Sequence, residues 1–225
     1  MKRVFTLLVL ITFTVSICSG QENYKDFIKE RKDVSKFTKE QLKEKASKDA
    51  RKESKRLKKE GWKVAPGSLP LEKQLDRVYT MQFEMDLNTG FPKFIKGEAM
   101  STGGNYDAAK MQAINLAKIE LAGNIQTEVM GLIENRVGNK QLSPEEAEST
   151  SESVMGAKNA IAQSIGQTIV ALEIYRDLRN KNKEVRVIIM YNAEMAKTAA
   201  KKAIREDLEK KADNLVDQLD NILGF

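Results

Sequence analysis

The stretch YDAAKMQAINLAKIELAGNIQTEVMGLIENRV, residues 106–137, decides the fold. Ala109, Ala113 and Ala117 recur every four residues, and Leu121, Ile125, Val129 and Leu132 or Ile133 continue the row. That spacing lays an apolar stripe along one long helix. Alanine has little side chain to hold a neighbour away, so the first half of the stripe lets the helix axis come close to whatever it covers. The bulkier second half fills a wider gap. The natural partner for such a face is a β-sheet, and Asn105 or Asp107 is placed to cap the helix.

Strand patterns flank it. FPKFIKGEAMS predicts a strand over 93–101, in which Gly97 marks a bulge or the close approach of another backbone. QTIVALEIYRDL and KEVRVIIMYN predict strands at 167–178 and 184–191, joined by the polar RNKNK turn as an antiparallel hairpin. In the second, Val185, Val187, Ile189 and Tyr191 alternate with Arg186, Ile188 and Met190, the period of a half-buried strand. The expected fold class is α+β: a small antiparallel sheet of three or more strands with long helices packed on one face, preceded by a basic helical arm.

Further helices complete the pattern. Leu71 to Met85 reads as a short helix with Leu71, Leu75, Val78 and Phe83 inward. Another follows GNKQLSPEEAE, with Ser143 as cap, Pro144 at the first helical position, and Val154, Ala157, Ile161 and Ile165 inward. A last helix starts near Ala193. Along it Leu208, Ala212, Leu215, Leu219 and Ile222 form a heptad-like seam, for packing on another helix of the chain or for homodimerisation.

Charge divides the chain. The formal net charge is +6, yet residues 21–63 hold sixteen Lys/Arg against nine Asp/Glu, and Lys2 and Arg3 add two more positive charges. The remainder, 64–225, is therefore mildly acidic. The basic arm reads as helix, with Thr38 and Gln41 matching a capping box that opens it near Lys39 and Gly61 stopping it. Leu42, Ala46, Ala50 and Leu57 share a narrow stripe, while Lys48, Lys52, Lys55 and Lys59 lie roughly opposite. Two uses fit: a solvated helix docked by its Leu/Ala stripe, or a contact surface for an anionic envelope polymer or lipid phosphates. Nucleic acid is not expected, because the arm lacks interleaved aromatic or glycine-rich patterning. GWKVAPGSLP, residues 61–70, is a turn-rich connector in which Trp62 packs on the body.

At the amino end, Lys2 and Arg3 precede the apolar run Val4 to Ile17 and then small residues, the layout of a signal peptide. The run is shorter than the ~20 residues a membrane span needs. Gly20 and Cys18 suit ordinary signal peptidase cutting before Gln21. Lipoprotein processing would instead acylate Cys18, although the bulky Ile17 suits it poorly. The expected organisation is a signal peptide over 1–20, the basic arm over 21–63 and a single α+β domain over 64–225. The protein is expected to be exported, and to touch a membrane only if Cys18 is acylated.

Chemistry is sparse. The chain has one cysteine and no histidine, which removes disulfide bracing and Cys/His zinc sites. It also removes Ser–His and Cys–His pairs, for want of an imidazole base. Glu98 on one strand and Glu173 or Asp177 on another are the candidates for a carboxylate pair, which would need one raised and one lowered pKa in a cleft. STGGN lacks the spacing and lysine of a phosphate loop, and DLNTG is too short for a calcium loop. No catalytic, cofactor or metal residue is assigned.

The succession IKGEAMS, YDAAKMQAINLAKIELAGNI, EIYRDLRNKNKEVRVIIMYN resembles the domain of the twenty-kilodalton envelope lipoprotein family over about residues 93–200. Similar domains begin a flagellar basal-body assembly protein, and the pattern is close to that of uncharacterised exported proteins of Gram-negative gut anaerobes. The resemblance implies a periplasmic or outer-membrane-associated α+β domain that acts through contacts, with no reaction attached. Ala109, Ala113, Ala117 and Leu121 match the family's helix as core positions. The expectation is a non-catalytic binding or scaffolding protein of the envelope. The alternatives are a hydrolase of an envelope polymer and a polyanion binder working through Lys48, Lys52, Lys55 and Lys59.

Overall fold

A computed structural model describes residues 43–87, 90–139 and 143–211, with a few isolated positions before 43. The chain divides into two units, Met1–Lys45 and Ala46–Phe225, and the elements named below belong to the second. The leader with Cys18, the Thr38–Gln41 box and the seam from Ala212 to Ile222 lie outside the described residues, and of the seam only the backbone of Leu208 is described.

Six helices and four strands are described: α1 Lys48–Lys59, β1 Lys63–Val64, α2 Leu71–Phe83, β2 Phe94–Gly103, α3 Tyr106–Gly138, α4 Pro144–Gly156, α5 Lys158–Ser164, β3 Ile169–Asp177, β4 Lys183–Asn192 and α6 Ala193–Lys211. The α+β fold read from the sequence is present. The strands form one antiparallel sheet in the order β1-β3-β4-β2.

α3 is the 33-residue rod that the alanine spacing predicts. Asn105 caps it, its side-chain oxygen accepting from the Ala108 N–H at 2.8 Å. Ala109, Ala113, Ala117, Leu121, Ile125, Val129 and Ile133 are all buried. A row stepping by four advances about 40° per step on a helix of 3.6 residues per turn, so it winds around the rod. Its first half faces β2, where Gly97 and Gly103 admit the backbone of α3 with no room for a side chain. By Gln126 the rod has turned toward α4, and that side chain donates to the Val154 and Met155 carbonyls at 2.6 and 2.8 Å. α5 and α6 complete this layer around Ile161, Ala196, Ala200 and Ile204.

The long helices cover one face of the sheet, and the opposite face is covered as well. Ile188 and Met190, read as the alternating partners of a half-buried strand, are buried in a second core with Leu172, Ile174, Leu75, Val78, Ala50, Leu57 and Trp62. α1 and α2 supply that cover. α1 begins at Lys48, where Ser47 is the N-cap and its Oγ accepts from the Ala50 N–H at 3.3 Å. It therefore does not run unbroken from Lys39. Asp76 of α2 accepts the Ser47 N–H at 3.0 Å, and Gly61, at φ 87°, turns the chain after the helix. The compact unit thus begins inside the arm expected to end at Lys63, because the Ala46, Ala50 and Leu57 stripe is needed to close the second core.

Two local differences have simple causes. Phe83, expected inward, is 73% exposed: five residues past Val78, it has swung about 140° round the helix. The helix expected to run from Pro144 through Ile165 is broken at Gly156–Ala157 into α4 and α5, where glycine weakens helical continuity. Val154, Ala157, Ile161 and Ile165 are nonetheless buried as expected.

Candidate binding cleft

The carboxylates singled out from the sequence do not converge. Directly paired residues of an antiparallel ladder share a face, and successive residues alternate faces. Glu98 pairs with Ile188 and Glu173 with Val187, so the two acids lie on opposite faces. Each is also held by a cation. Arg186 donates through Nε to Glu98 at 2.7 Å, and Lys110 reaches Glu173 at 2.8 Å, joined there by the Tyr106 hydroxyl. Asp177 sits at the strand end between Lys63 and Lys183. Hydrogen bonds from Lys183 and then Lys63 hold its carboxyl down to about 2.

Lys48, Lys52, Lys55 and Lys59 are exposed on α1. Among the described residues, none of the four forms an ion pair; those of α1 use Arg56 and Lys58. No three His, Cys, Asp or Glu side chains among the described residues could jointly hold a metal ion. No described helix is long and apolar enough to cross a membrane.

The concave site lies elsewhere, at the end of the sheet where β2 begins and β4 ends. The segment between α2 and β2 folds back on itself. Met85 bridges Pro92, Asp86 donates its N–H to the Phe91 carbonyl at 2.8 Å, and Lys93 donates its N–H to the Glu84 carbonyl at 2.9 Å. Gly90, at φ 70°, supplies the left-handed backbone that the turn needs. Lys93 also accepts the Ala193 N–H at 2.9 Å, which pins the hairpin to the start of α6. There Asn192 accepts the Met195 N–H at 3.1 Å.

Between this hairpin, α6 and the second half of α3 is a cavity of about 290 Å³. α3 contributes Glu128, Gly131, Leu132 and Asn135, one face of the rod; the hairpin adds Asp86, Phe91, Pro92 and Lys93; Asn192, Ala193, Glu194 and Lys197 close it. A Cβ built on Gly131 would meet nothing within 4 Å, so the missing side chain there is part of the open volume. Lys93 is paired with Glu84 at 2.6 Å and Lys197 with Glu194 at 2.9 Å. Glu128 is exposed on the cleft wall, and partial loss of water pushes its carboxyl up, with the charge of Lys197 opposing.

The rim of this cleft is apolar and open. Leu87 is 99% exposed, Phe91 63% and Met85 48%, an unusual concentration on one short hairpin. Neither the cleft nor this patch was marked by the sequence, in which DLNTG reads only as too short a calcium loop. No family model, curated protein or solved structure matches the chain, so the resemblance to the twenty-kilodalton envelope lipoproteins rests on the quoted segments alone.

Proposed function

We propose that this protein is an exported, non-catalytic binding or scaffolding protein of the cell envelope, periplasmic or outer-membrane-associated in a Gram-negative bacterium, and that it works through protein contacts. The observation that carries the proposal is the end of α2 and the hairpin after it, where Phe83, Met85, Leu87 and Phe91 expose apolar side chains beside a cleft. Large apolar side chains gathered at the surface mark contact sites far more often than isolated ones do. The export half is supported by the Lys2–Arg3 patch and the apolar run to Ile17.

The test is the hydrodynamic size of the protein in envelope extracts. Wild type should elute as part of a larger assembly, and L87S/F91S should elute as the free, folded chain. Equal elution of the two would contradict the proposal. Intact mass of the processed protein tests export: a start at Gln21 gives a free protein, and a diacylated Cys18 an anchored one.

A second reading, polyanion binding through Lys48, Lys52, Lys55 and Lys59, is favoured by their exposure on one helix without a described acidic partner. Retention on an anionic matrix should then collapse with salt and on replacing all four by glutamine. An unchanged elution profile removes it.

A further inference from the structure

The outer edges of β2 and β3 are treated differently. Along β2, α3 supplies the missing partners: the Glu120 carboxylate accepts the Glu98 N–H at 2.9 Å, and Asn124 donates to the Lys96 carbonyl at 2.7 Å. Even-numbered residues of β2 therefore face outward and odd-numbered ones face β4. The edge of β3 is closed over only part of its length. β1 pairs with Tyr175 and Ile174 alone, and the buried Gln74 side chain accepts the Glu173 N–H at 2.7 Å.

Before Leu172, nothing among the described residues takes that edge. Val170 pairs with Ile189, and Ile189 pairs with Gly97. Gly97 is one of the odd-numbered residues, so the main chain of Ile189 serves β2, and the Val170 N–H and carbonyl point out of the sheet. The register shift between Val170 and Leu172 causes this, moving the outward position from Ala171 to Val170. Ile169 and Val170 are both exposed. Residues 159–172 carry no charged side chain, the longest such stretch after the leader in a chain that is 31% charged. Charge, proline or covering side chains commonly guard an edge against pairing, and residues 166–172 have neither charge nor proline.

We infer that the edge of β3 before Leu172 accepts an added strand, the free apolar end of another polypeptide. Outward main-chain donors and acceptors at strand spacing are matched by an extended main chain, and β-branched partners pair best with Ile169 and Val170. A second copy fits less well. Two-fold pairing about Val170 would carry its own chain before Thr168 into the place opposite Ile174, which Val64 fills. A chain end can stop short of Val64. The inference rests on the contact reading for a polypeptide occupant, but it uses a surface other than the hairpin, so the two fail separately.

The experiment is amide hydrogen exchange by NMR on the full processed chain, with and without the peptide acetyl-Thr-Val-Thr-Ile-Thr-Val-amide. In the free protein the Val170 amide should exchange fast while the inward Leu172 amide is protected. The peptide should slow Val170 at least about tenfold. Val170→Pro should abolish binding with the unfolding midpoint kept, because proline is tolerated where the N–H faces outward. If that variant does not fold, exchange in the wild type decides. A Val170 amide already protected at every protein concentration, or unmoved by the peptide, overturns the inference. Protection that grows with protein concentration overturns the chosen occupant in favour of a second copy. Equal binding by the peptide with lysine at its Val and Ile positions overturns the apolar character. Shifts confined to Leu87 and Phe91 overturn the edge site and leave the contact reading standing, which the elution test of L87S/F91S judges by itself.

Discussion

Gly97 of β2 lies directly under Ala117 of α3, so closely that a Cβ on Gly97 would stand 2.7 Å from the Leu121 Cβ and nearer still to the Ala117 carbonyl oxygen. Two residues chosen for what they lack thus set the separation between rod and sheet. Gly97→Ala should therefore force the rod outward and destabilise the fold by about 1–3 kcal/mol, the range for overpacking. The check is denaturant unfolding, with a lower midpoint at unchanged m. A midpoint equal to wild type would mean that rod and sheet are not seated as described.

The same rod supplies the opposite case. Gly131 faces the cleft, with nothing within 4 Å of a Cβ placed on it. Gly131→Ala should stabilise the protein by up to about 1 kcal/mol, the helix-propensity difference between the two residues. Destabilisation in the same unfolding experiment would show that the cleft is closed.

Tyr106, at the start of α3, donates its hydroxyl to Glu173 and packs edge-on against Tyr175 with ring centroids 5.2 Å apart. Burial, then the bond to Glu173, pushes the phenol above its ordinary range. Tyr106→Phe should cost about 1.5 kcal/mol, as for a hydrogen bond to a charged group. In an ultraviolet titration of wild type, one tyrosine should ionise after the others, and that late step should vanish in the variant.

Asp177 provides a pH signature. Its carboxyl, held down to about 2 by Lys183 and Lys63, lies below the ordinary value of 3.8. The unfolded chain therefore binds more protons in that window, so this contribution to stability is fully present above 3.8 and is lost as pH falls toward 2. Carbon-detected NMR should find the Asp177 carboxyl titrating near 2, and Lys183→Ala should move it up. An ordinary value in wild type would contradict the described pairing.

Glu128 has the opposite sign. Its carboxyl is raised by loss of water, so the native state holds the proton longer than the unfolded chain. This contribution weakens stability as pH climbs through the window above 4.5. Asp86, Lys93, Glu194 and Lys197 also line the cleft, and Lys197 limits the effect. Glu128→Gln should be more stable than wild type at neutral pH, with the gap closing toward pH 4. A constant gap across that range would place the acid in ordinary solvent.

Much of this was readable in advance, for reasons tied to particular residues. Ala109, Ala113 and Ala117 announced a close-packed rod, because small residues at fixed intervals have few other uses. Gly97 reads as a bulge or a close backbone approach, and the structure shows the approach, to α3. The second core was less legible. Ile188 and Met190 sit at alternate positions in β4, and alternation alone does not tell a strand covered on one face from a strand covered on two. The cleft was not legible at all. Its residues come from the hairpin, α3 and the start of α6, and each is ordinary within its own segment. Glu128 reads as one more acid on a helix until the fold sets Leu132, Phe91 and Pro92 beside it.

The most direct test of the central claim places a photo-crosslinking amino acid at Leu87 in cells producing the full-length protein, with Met111 as the comparison. Both side chains are exposed, at 99% and 67%, but only Leu87 belongs to the hairpin beside the cleft. The account expects a discrete adduct from Leu87 to a second envelope polypeptide, and none from Met111. Equal crosslinking at both positions, or no adduct at Leu87, would contradict it.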